Sequence, residues 1–183
     1  MVGVEPSEIY ALRDEYVDLL PGDKRAVELA RRAYLVEEYL MRPGANGESR
    51  IMRIANFLNV NSSNQNPTQK NHTGNVLLHG HCHQKAQPPA LDGYPMGVAA
   101  SAAMLETLGY SVTVIDSGCC GMAGAFGYER EHYSLSISVG ELSLLPAVRK
   151  ADDKTLIAAS GVSCQVQILD GTGREARHPI TYV

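Results

Sequence analysis

Cysteine is scarce in this chain, while basic blocks and long apolar runs are missing, and each absence removes a class of protein. Only four cysteines occur in 183 residues. A disulfide framework belongs to short, secreted, cysteine-dense domains, and the adjacent pair Cys119-Cys120 could close only a strained vicinal ring. Reduced thiols are therefore expected. The formal net charge is −4, the pI is near 5.8, and no block of five or more basic residues exists, so there is no electrostatic footprint for a polyanion and nucleic acid is not an expected partner. No apolar run reaches the ~18 residues of a membrane span. The N-terminus also lacks a basic segment followed by an apolar signal core. The expectation is a protein without a transmembrane segment, placed in the cytoplasm, with peripheral association at a membrane left open.

What is present suits a globule. A hydrophobic content of 44% can supply the core of one ordinary domain, or of one domain plus a piece of another. Val2-Gly3-Val4-Glu5-Pro6-Ser7 reads as the end of a strand entering a turn. Ile9 to Leu20 and Asp23 to Met41 read as helices, the second with Ala26, Leu29, Ala33, Val36 and Leu40 on one stripe and Pro43-Gly44 as its stop. From Arg42 to Asn75 the chain is rich in Asn and Ser, with periodicity only from Ile51 to Val60, and is expected to be a surface connection, partly disordered.

Regular alternation follows. Asn75 to Leu78, Ser111 to Ile115 and Thr155 to Ala159 read as strands. Pro95 to Leu108 reads as a helix stopped by Gly109, and a further helix begins near Tyr128, with Leu135, Val139 and Leu142 on one side and an interruption near Pro146. Strands alternating with helices of this length predict an α/β fold: a Rossmann-like parallel sheet built from right-handed βαβ units with helices on both faces.

The thiols sit where such a fold gathers ligands, beyond the carboxyl ends of the strands. They form three clusters: His79-Gly80-His81-Cys82-His83, Gly118-Cys119-Cys120-Gly121 and Gly161-Val162-Ser163-Cys164. Between Cys82 and Cys119 lie 36 residues, and between Cys120 and Cys164 lie 43, room in each gap for one helix and one strand. Consecutive strands usually lie side by side, about 5 Å apart, so three loops can converge on one small inorganic centre. Soft thiolates favour an iron–sulfur cluster or zinc, and the spacing is neither that of a zinc finger nor that of a ferredoxin run. Glycines beside the thiols let backbone N–H groups reach sulfur, which tunes a cluster's potential. The bland alternative is four small buried cysteines in an ordinary core.

His81 and His83 are secondary candidates for ligation, set against hydrogen bonding to the ligands or plain loop exposure, and His79 reads as packing or polar lining of its strand. Gly118, Gly121, Gly124 and Gly127 recur every third residue without forming the dinucleotide fingerprint. No Ser-His-Asp set stands out, and two vicinal thiols plus two distant ones fit ligation better than acyl transfer. Arg174 or Arg177 could contact an anion, although that segment reads more simply as a surface loop.

Taken together, His-Gly-His-Cys-His-Gln-Lys-Ala from His79 to Ala86, Gly-Cys-Cys-Gly-Met-Ala-Gly from Gly118 to Gly124, and Ser-Cys-x-x-Gln-Ile from Ser163 to Ile168, followed by Asp-Gly-Thr-Gly-Arg and His178-Pro179, resemble the C-terminal cysteine-rich, or CCG, domain of fused FAD-linked oxidase and iron–sulfur proteins. Related domains occur in the iron–sulfur subunits of glycolate oxidase and anaerobic glycerol-3-phosphate dehydrogenase and in heterodisulfide reductase. The resemblance runs from about Val2 to the end, apart from the loop after Met41. It implies residues 1–42 as the tail of a preceding CCG repeat, 43–74 as a surface connection and 75–183 as a CCG α/β domain. It further implies a C-terminal fragment of an oxidoreductase in which electrons pass from reduced FAD, on a flavin domain of the same parent protein, after oxidation of a 2-hydroxy acid, through iron–sulfur centres to an electron acceptor. Such a fragment should not turn over substrate alone. Cys82, Cys119, Cys120 and Cys164 would be the ligands, of a [4Fe–4S] cluster, a smaller centre or zinc; the zinc form would be a structural or docking module without redox activity. Two departures bear on that choice. The repeat of heterodisulfide reductase ends in Cys-x-x-Cys, whereas Gln167 stands here at the second position; fused relatives often have Cys directly after Glu-Pro-Ser, where this chain has Glu8, which could supply a carboxylate ligand or mark a disabled ligand position.

Overall fold

The computed structural model describes residues 1–63 and 74–183. The N-terminal part runs β1 (Val2–Gly3), α1 (Pro6–Arg13), α2 (Glu15–Leu19), α3 (Lys24–Arg32), β2 (Tyr34–Leu35), α4 (Val36–Met41) and α5 (Arg50–Ser63). Pro6 sits at the first turn of α1, where its missing N–H costs nothing. Asp23 caps α3 by accepting from the Arg25 N–H at 2.8 Å.

The single helix expected from Asp23 to Met41 is in fact two, split by β2, which pairs in parallel with β1. Ala33 and Leu35 explain the break: both are fully buried and pack with Ile9 and Tyr10. Two residues apart, they share a face only in extended backbone; a helix would turn one of them outward. Helix α5 likewise occupies part of the stretch read as surface connection, because Ile51 and Ala55 are buried, and Ile54 and Leu58 partly so, in the same cluster as Met104 and Leu105. Residues 64–73 of that stretch lie outside the described residues.

The second part runs β3 (Asn75–His79), α6 (Cys82–Lys85), α7 (Gly97–Thr107), β4 (Ser111–Val114), α8 (Tyr133–Glu141), α9 (Leu144–Lys150), β5 (Leu156–Ala159) and α10 (Val162–Thr172). Its three strands are parallel in the order β4-β3-β5, so β4 and β5, although consecutive, are separated by β3. Strand alternation sorts the core. Val76, Leu78 and Ala158 pack with α5 and α7 on one face, whereas Ile157 and Ala159 pack with Leu144, Leu145, Val148 and Ile168 of α9 and α10 on the other. This is the α/β architecture the alternation predicted, with helices on both faces. Chain leaving β3 turns to one face and chain leaving β5 to the other, which opens a crevice at the carboxyl edge between them.

Helix α8 departs from its expected stripe. Leu135 and Leu142 are 55% and 81% exposed, while Ser136 and Gly140 are buried. Small residues face inward here because α8 lies close over the Cys119-Cys120 turn: a Cβ on Gly140 would come to 3.0 Å of the Cys120 carbonyl oxygen. Among the described residues no helix is long and apolar enough to cross a membrane.

Candidate functional site

Three turns meet at the carboxyl edge of the sheet. The first leaves β3 at His79 and enters α6 at Cys82, where His81 is the N-cap. Its Nδ1 accepts from the His83 N–H at 3.2 Å, and its own N–H donates to Gln84 Oε1 at 3.0 Å. His81 is buried, packs against His83 with ring centroids 5.2 Å apart, and has its pKa lowered first by burial. It also touches the third turn: a Cβ on Gly161 would lie 2.3 Å from its ring. Only glycine lets these two loops close on each other.

The second turn follows β4. Gly121 has φ +98° and a Cβ there would come to 2.1 Å of the Ser136 carbonyl oxygen, so this glycine is required twice over. Its N–H donates to Cys119 Sγ at 3.3 Å, a backbone hydrogen bond to sulfur of the kind the flanking glycines predicted. The third turn starts α10, with Cys164 in its first turn. Glu5 reaches across from the N-terminal part and accepts from the Val162 N–H at 3.0 Å, placing a carboxylate at the positive end of α10.

Cys120 and Cys164 are buried, Cys119 is half-buried and Cys82 is exposed. The Cys164 thiol donates to Cys120, and this hydrogen bond, aided by His79 and the Met122 N–H and opposed by burial, brings the Cys120 thiol down to about 4. Cys164 is pushed far up, first by donating that hydrogen bond, then by burial, then by the charges of Cys120, Cys82 and Cys119. One proton is thus held between two sulfurs. Burial, followed by the charges of Cys119 and Cys120, raises Cys82. All four sulfurs therefore lie within electrostatic reach of one another. Among the described residues, however, no three His, Cys, Asp or Glu side chains stand together as a ready metal cage. The donor set fits a thiophilic metal chemically, since a buried thiolate crowded by further thiols calls for a cation.

Other predicted residues fall differently. Glu8 is exposed on α1, and Glu5 is the acid that reaches the third turn. Gln167 is buried and points its amide at the backbone, donating to Cys120 O at 3.0 Å, Ser136 O at 2.9 Å and Ser136 Oγ at 3.0 Å. At the position of a second cysteine it is a strut that fixes the Cys120 turn to α8. Arg174 donates to the carbonyls of Val148, Ala151, Asp152 and Thr155, closing the end of α9, and Arg177 pairs with Glu175 at 3.0 Å.

Sequence reasoning missed the polar groups behind the thiols. His79 Nδ1 meets Ser117 Oγ at 3.0 Å, and Lys85 Nζ donates to the Ser117 carbonyl, to Ser117 Oγ at 3.2 Å and to Gly118 O at 3.1 Å. Lys85, one turn beyond Cys82 in the first motif, was the available signal. Behind Ser160, at the end of β5, lies fully buried Glu37, whose Oε1 accepts from Ser101 Oγ and Ser160 Oγ, each at 3.2 Å, with His178 Nε2 at 3.7 Å. Oε2 has no hydrogen-bond partner. Burial raises the Glu37 pKa, only partly offset by His178, Ser101 and Ser160. A raised carboxyl stabilises the fold below its unfolded pKa and loses that stability as pH rises toward the folded one. Glu37→Gln should therefore gain on the wild type as pH climbs above about 4.5, read as urea midpoints; parallel curves from pH 4 to 8 would refute it.

Comparison with known proteins finds similar sequences among dehydrogenases. The chain is 28% identical over 180 residues to D-2-hydroxyglutarate dehydrogenase of Escherichia coli K12, with 98% of the chain aligned. It is 29% identical over 177 residues to the enzyme of that name from Pseudomonas putida, with 97% aligned. With a subunit of the anaerobic glycerol-3-phosphate dehydrogenase of Escherichia coli K12 it shares 27% over 178 residues, covering 94% of the chain. No family model and no solved structure matches. The chain spans 15% and 16% of the two D-2-hydroxyglutarate dehydrogenases and 36% of the glycerol-3-phosphate dehydrogenase polypeptide. The resemblance read from the three cysteine motifs is thus borne out: the chain is a relative of a segment of these dehydrogenases.

Proposed function

We propose that this chain is an iron–sulfur electron-transfer module of a flavin-dependent dehydrogenase of the kind that oxidises a 2-hydroxy acid. The observation that carries the reading is the placement of buried Cys120 and Cys164, half-buried Cys119 and exposed Cys82 on turns at the carboxyl edge of a parallel sheet, with Cys164 holding the Cys120 thiol well below its ordinary range. Cys82, Cys119, Cys120 and Cys164 would hold the cluster, of [4Fe–4S] type where all four serve as thiolates. When bound, such a cluster takes up and releases single electrons.

The chain's own residues would position and tune it. The Gly121 N–H on Cys119 and the His79 ring beside Cys120 offset negative charge on sulfur, which raises a cluster's potential. Gln167 holds the Cys120 carbonyl so that the thiol keeps its aim. Exposed Cys82 leaves one side of the site open to an electron partner. His81 has Nδ1 committed to its own turn and would support the ligands, as would His83; Glu8 would stay outside the set. The electron donor would be FAD on the flavin domain of the parent protein, a reading supported by the small share of each relative that this chain covers.

Anaerobic purification of the full chain tests this. The expected product is brown, bleaches on reduction and contains about four iron and four sulfide per chain. A colourless preparation carrying stoichiometric zinc would sink the redox reading in favour of a docking module.

A further inference from the structure

We infer that Lys85, acting through Ser117, is a positioning residue that fixes which nitrogen of His79 carries the hydrogen, and with it the polarity this buried ring presents to the thiols. Its consequence for a cluster rests on the function proposed above, while its geometry rests on counting donors. An ammonium group has hydrogens and no lone pair, so Lys85 can only donate. Its three acceptors are the Ser117 carbonyl, Gly118 O at 3.1 Å and Ser117 Oγ at 3.2 Å. Ser117 Oγ therefore receives a hydrogen from Lys85, and its own single hydrogen is directed at His79 Nδ1, 3.0 Å away. The arrangement that uses every available hydrogen makes Nδ1 the acceptor and puts the ring hydrogen on Nε2.

His79 is fully buried, and its Nε2 forms no well-aligned hydrogen bond with any group. The ring nevertheless lowers the Cys120 pKa, after Cys164, and so favours the thiolate. The other tautomer would turn a lone pair toward that anion. It would also leave Ser117 Oγ accepting from both neighbours, with its own hydrogen unused. Lys85 thus does two things: it ties the helix that begins at Cys82 to the turn that leads to Cys119, and it orders the chain of hydrogen bonds that ends at His79. The histidine that sequence reasoning placed as strand lining becomes the group that tunes the most buried anion of the site.

The test begins with metal-free full chain labelled with 15N-histidine. Long-range 1H–15N correlation spectra report each tautomer, and the His79 signals are assigned by their loss in His79→Gln. The wild type is expected to show the Nε2–H form alone. Lys85→Met and Ser117→Ala should mix the two forms, and Ser117→Thr, which keeps the hydroxyl, should preserve the wild-type pattern. In protein loaded anaerobically with iron and sulfide, Lys85→Met and Ser117→Ala should move the midpoint potential to more negative values and weaken metal retention about 10–100-fold. Ser117→Ala keeps the ammonium, so a shift there runs through His79. A wild-type Nδ1–H signal, or a tautomer unchanged in both variants, would overturn the inference. The wild-type spectrum decides the first point whether or not a variant folds. Absence of bound iron would sink the proposed function while leaving the tautomer result standing.

Discussion

Cys120→Ser is expected to strip the chain of metal and to flatten the pH dependence of its metal-free stability. In the native chain the hydrogen bond from Cys164 brings Cys120 from an ordinary 9.0 to about 4. Between those values the folded state holds a thiolate where the unfolded chain holds a thiol, so unfolding takes up a proton and stability rises with pH, by at most about 1.4 kcal/mol per pH unit for one proton. That contribution is complete above about pH 9 and is lost as pH falls through about 4. Cys164 acts in the opposite sense: its folded pKa lies above its unfolded one, so stability from this group is lost as pH rises past about 9. Taken by themselves, the two thiols favour the folded metal-free chain most near pH 9. Serine does not ionise in this range, and without the neighbouring anion Cys164 returns toward ordinary behaviour.

Urea midpoints of the metal-free protein from pH 5 to 9, under reductant and chelator, separate the cases. Wild type should climb across this range and Cys120→Ser should not. Equal slopes would show that Cys120 is not the buried anion. Iron retained in full by Cys120→Ser would remove it from the ligand set, and with it the coupling of metal to folding. Because the pH series needs no metal, it decides the thiolate assignment independently of the cluster.

The strands and the cysteine loops were legible because both depend on local pattern. Val76 and Leu78, alternating with the residues between them, mark a strand whatever surrounds it, and Cys82, Cys119-Cys120 and Cys164 each follow such a run directly. Strand order was not legible at that level: β3 lies between β4 and β5 because successive crossovers run over opposite faces, a property of the whole chain. Two local readings failed for tertiary reasons. Ala33 and Val36 fit a helical stripe, yet pairing of Tyr34 and Leu35 with β1 puts an extended segment between them. Leu135 and Leu142 look like core, yet α8 turns Ser136 and Gly140 inward, because only small residues permit the approach that lets Gln167 bond Cys120 and Ser136 together. Within the site the thiols declare themselves by type, whereas Lys85, Ser117 and His79 matter only through a contact between residues 32 and 38 positions apart, which no spacing rule encodes.

Glu38→Ala is expected to cost about 3–5 kcal/mol, the range for removing one partner of a buried ion pair. Glu38 is fully buried on α4, and its carboxylate is the acceptor for four residues on three other elements. Oε1 receives Tyr10 Oη at 2.8 Å, the Gly97 N–H at 3.1 Å and Arg13 Nη1 at 3.3 Å; Oε2 receives the Leu35 N–H at 3.1 Å and Arg13 Nη2. Truncation would strand a guanidinium whose side chain is only 10% exposed, two backbone N–H groups and a buried phenol. Since Gly97 opens α7 while Tyr10, Arg13 and Leu35 belong to the N-terminal part, the loss should weaken the junction between residues 1–42 and the sheet domain. Urea unfolding of Glu38→Ala should show a lower midpoint. Glu38→Gln, which keeps the Oε1 acceptor, should fall between it and wild type. Pairing Glu38→Ala with Arg13→Met should cost less than the sum of the two single changes, because the double variant leaves no uncompensated charge. A loss under about 1 kcal/mol in Glu38→Ala, the range of an exposed pair, would mean that water replaces this carboxylate readily, and that the N-terminal elements are held to the sheet by apolar packing alone.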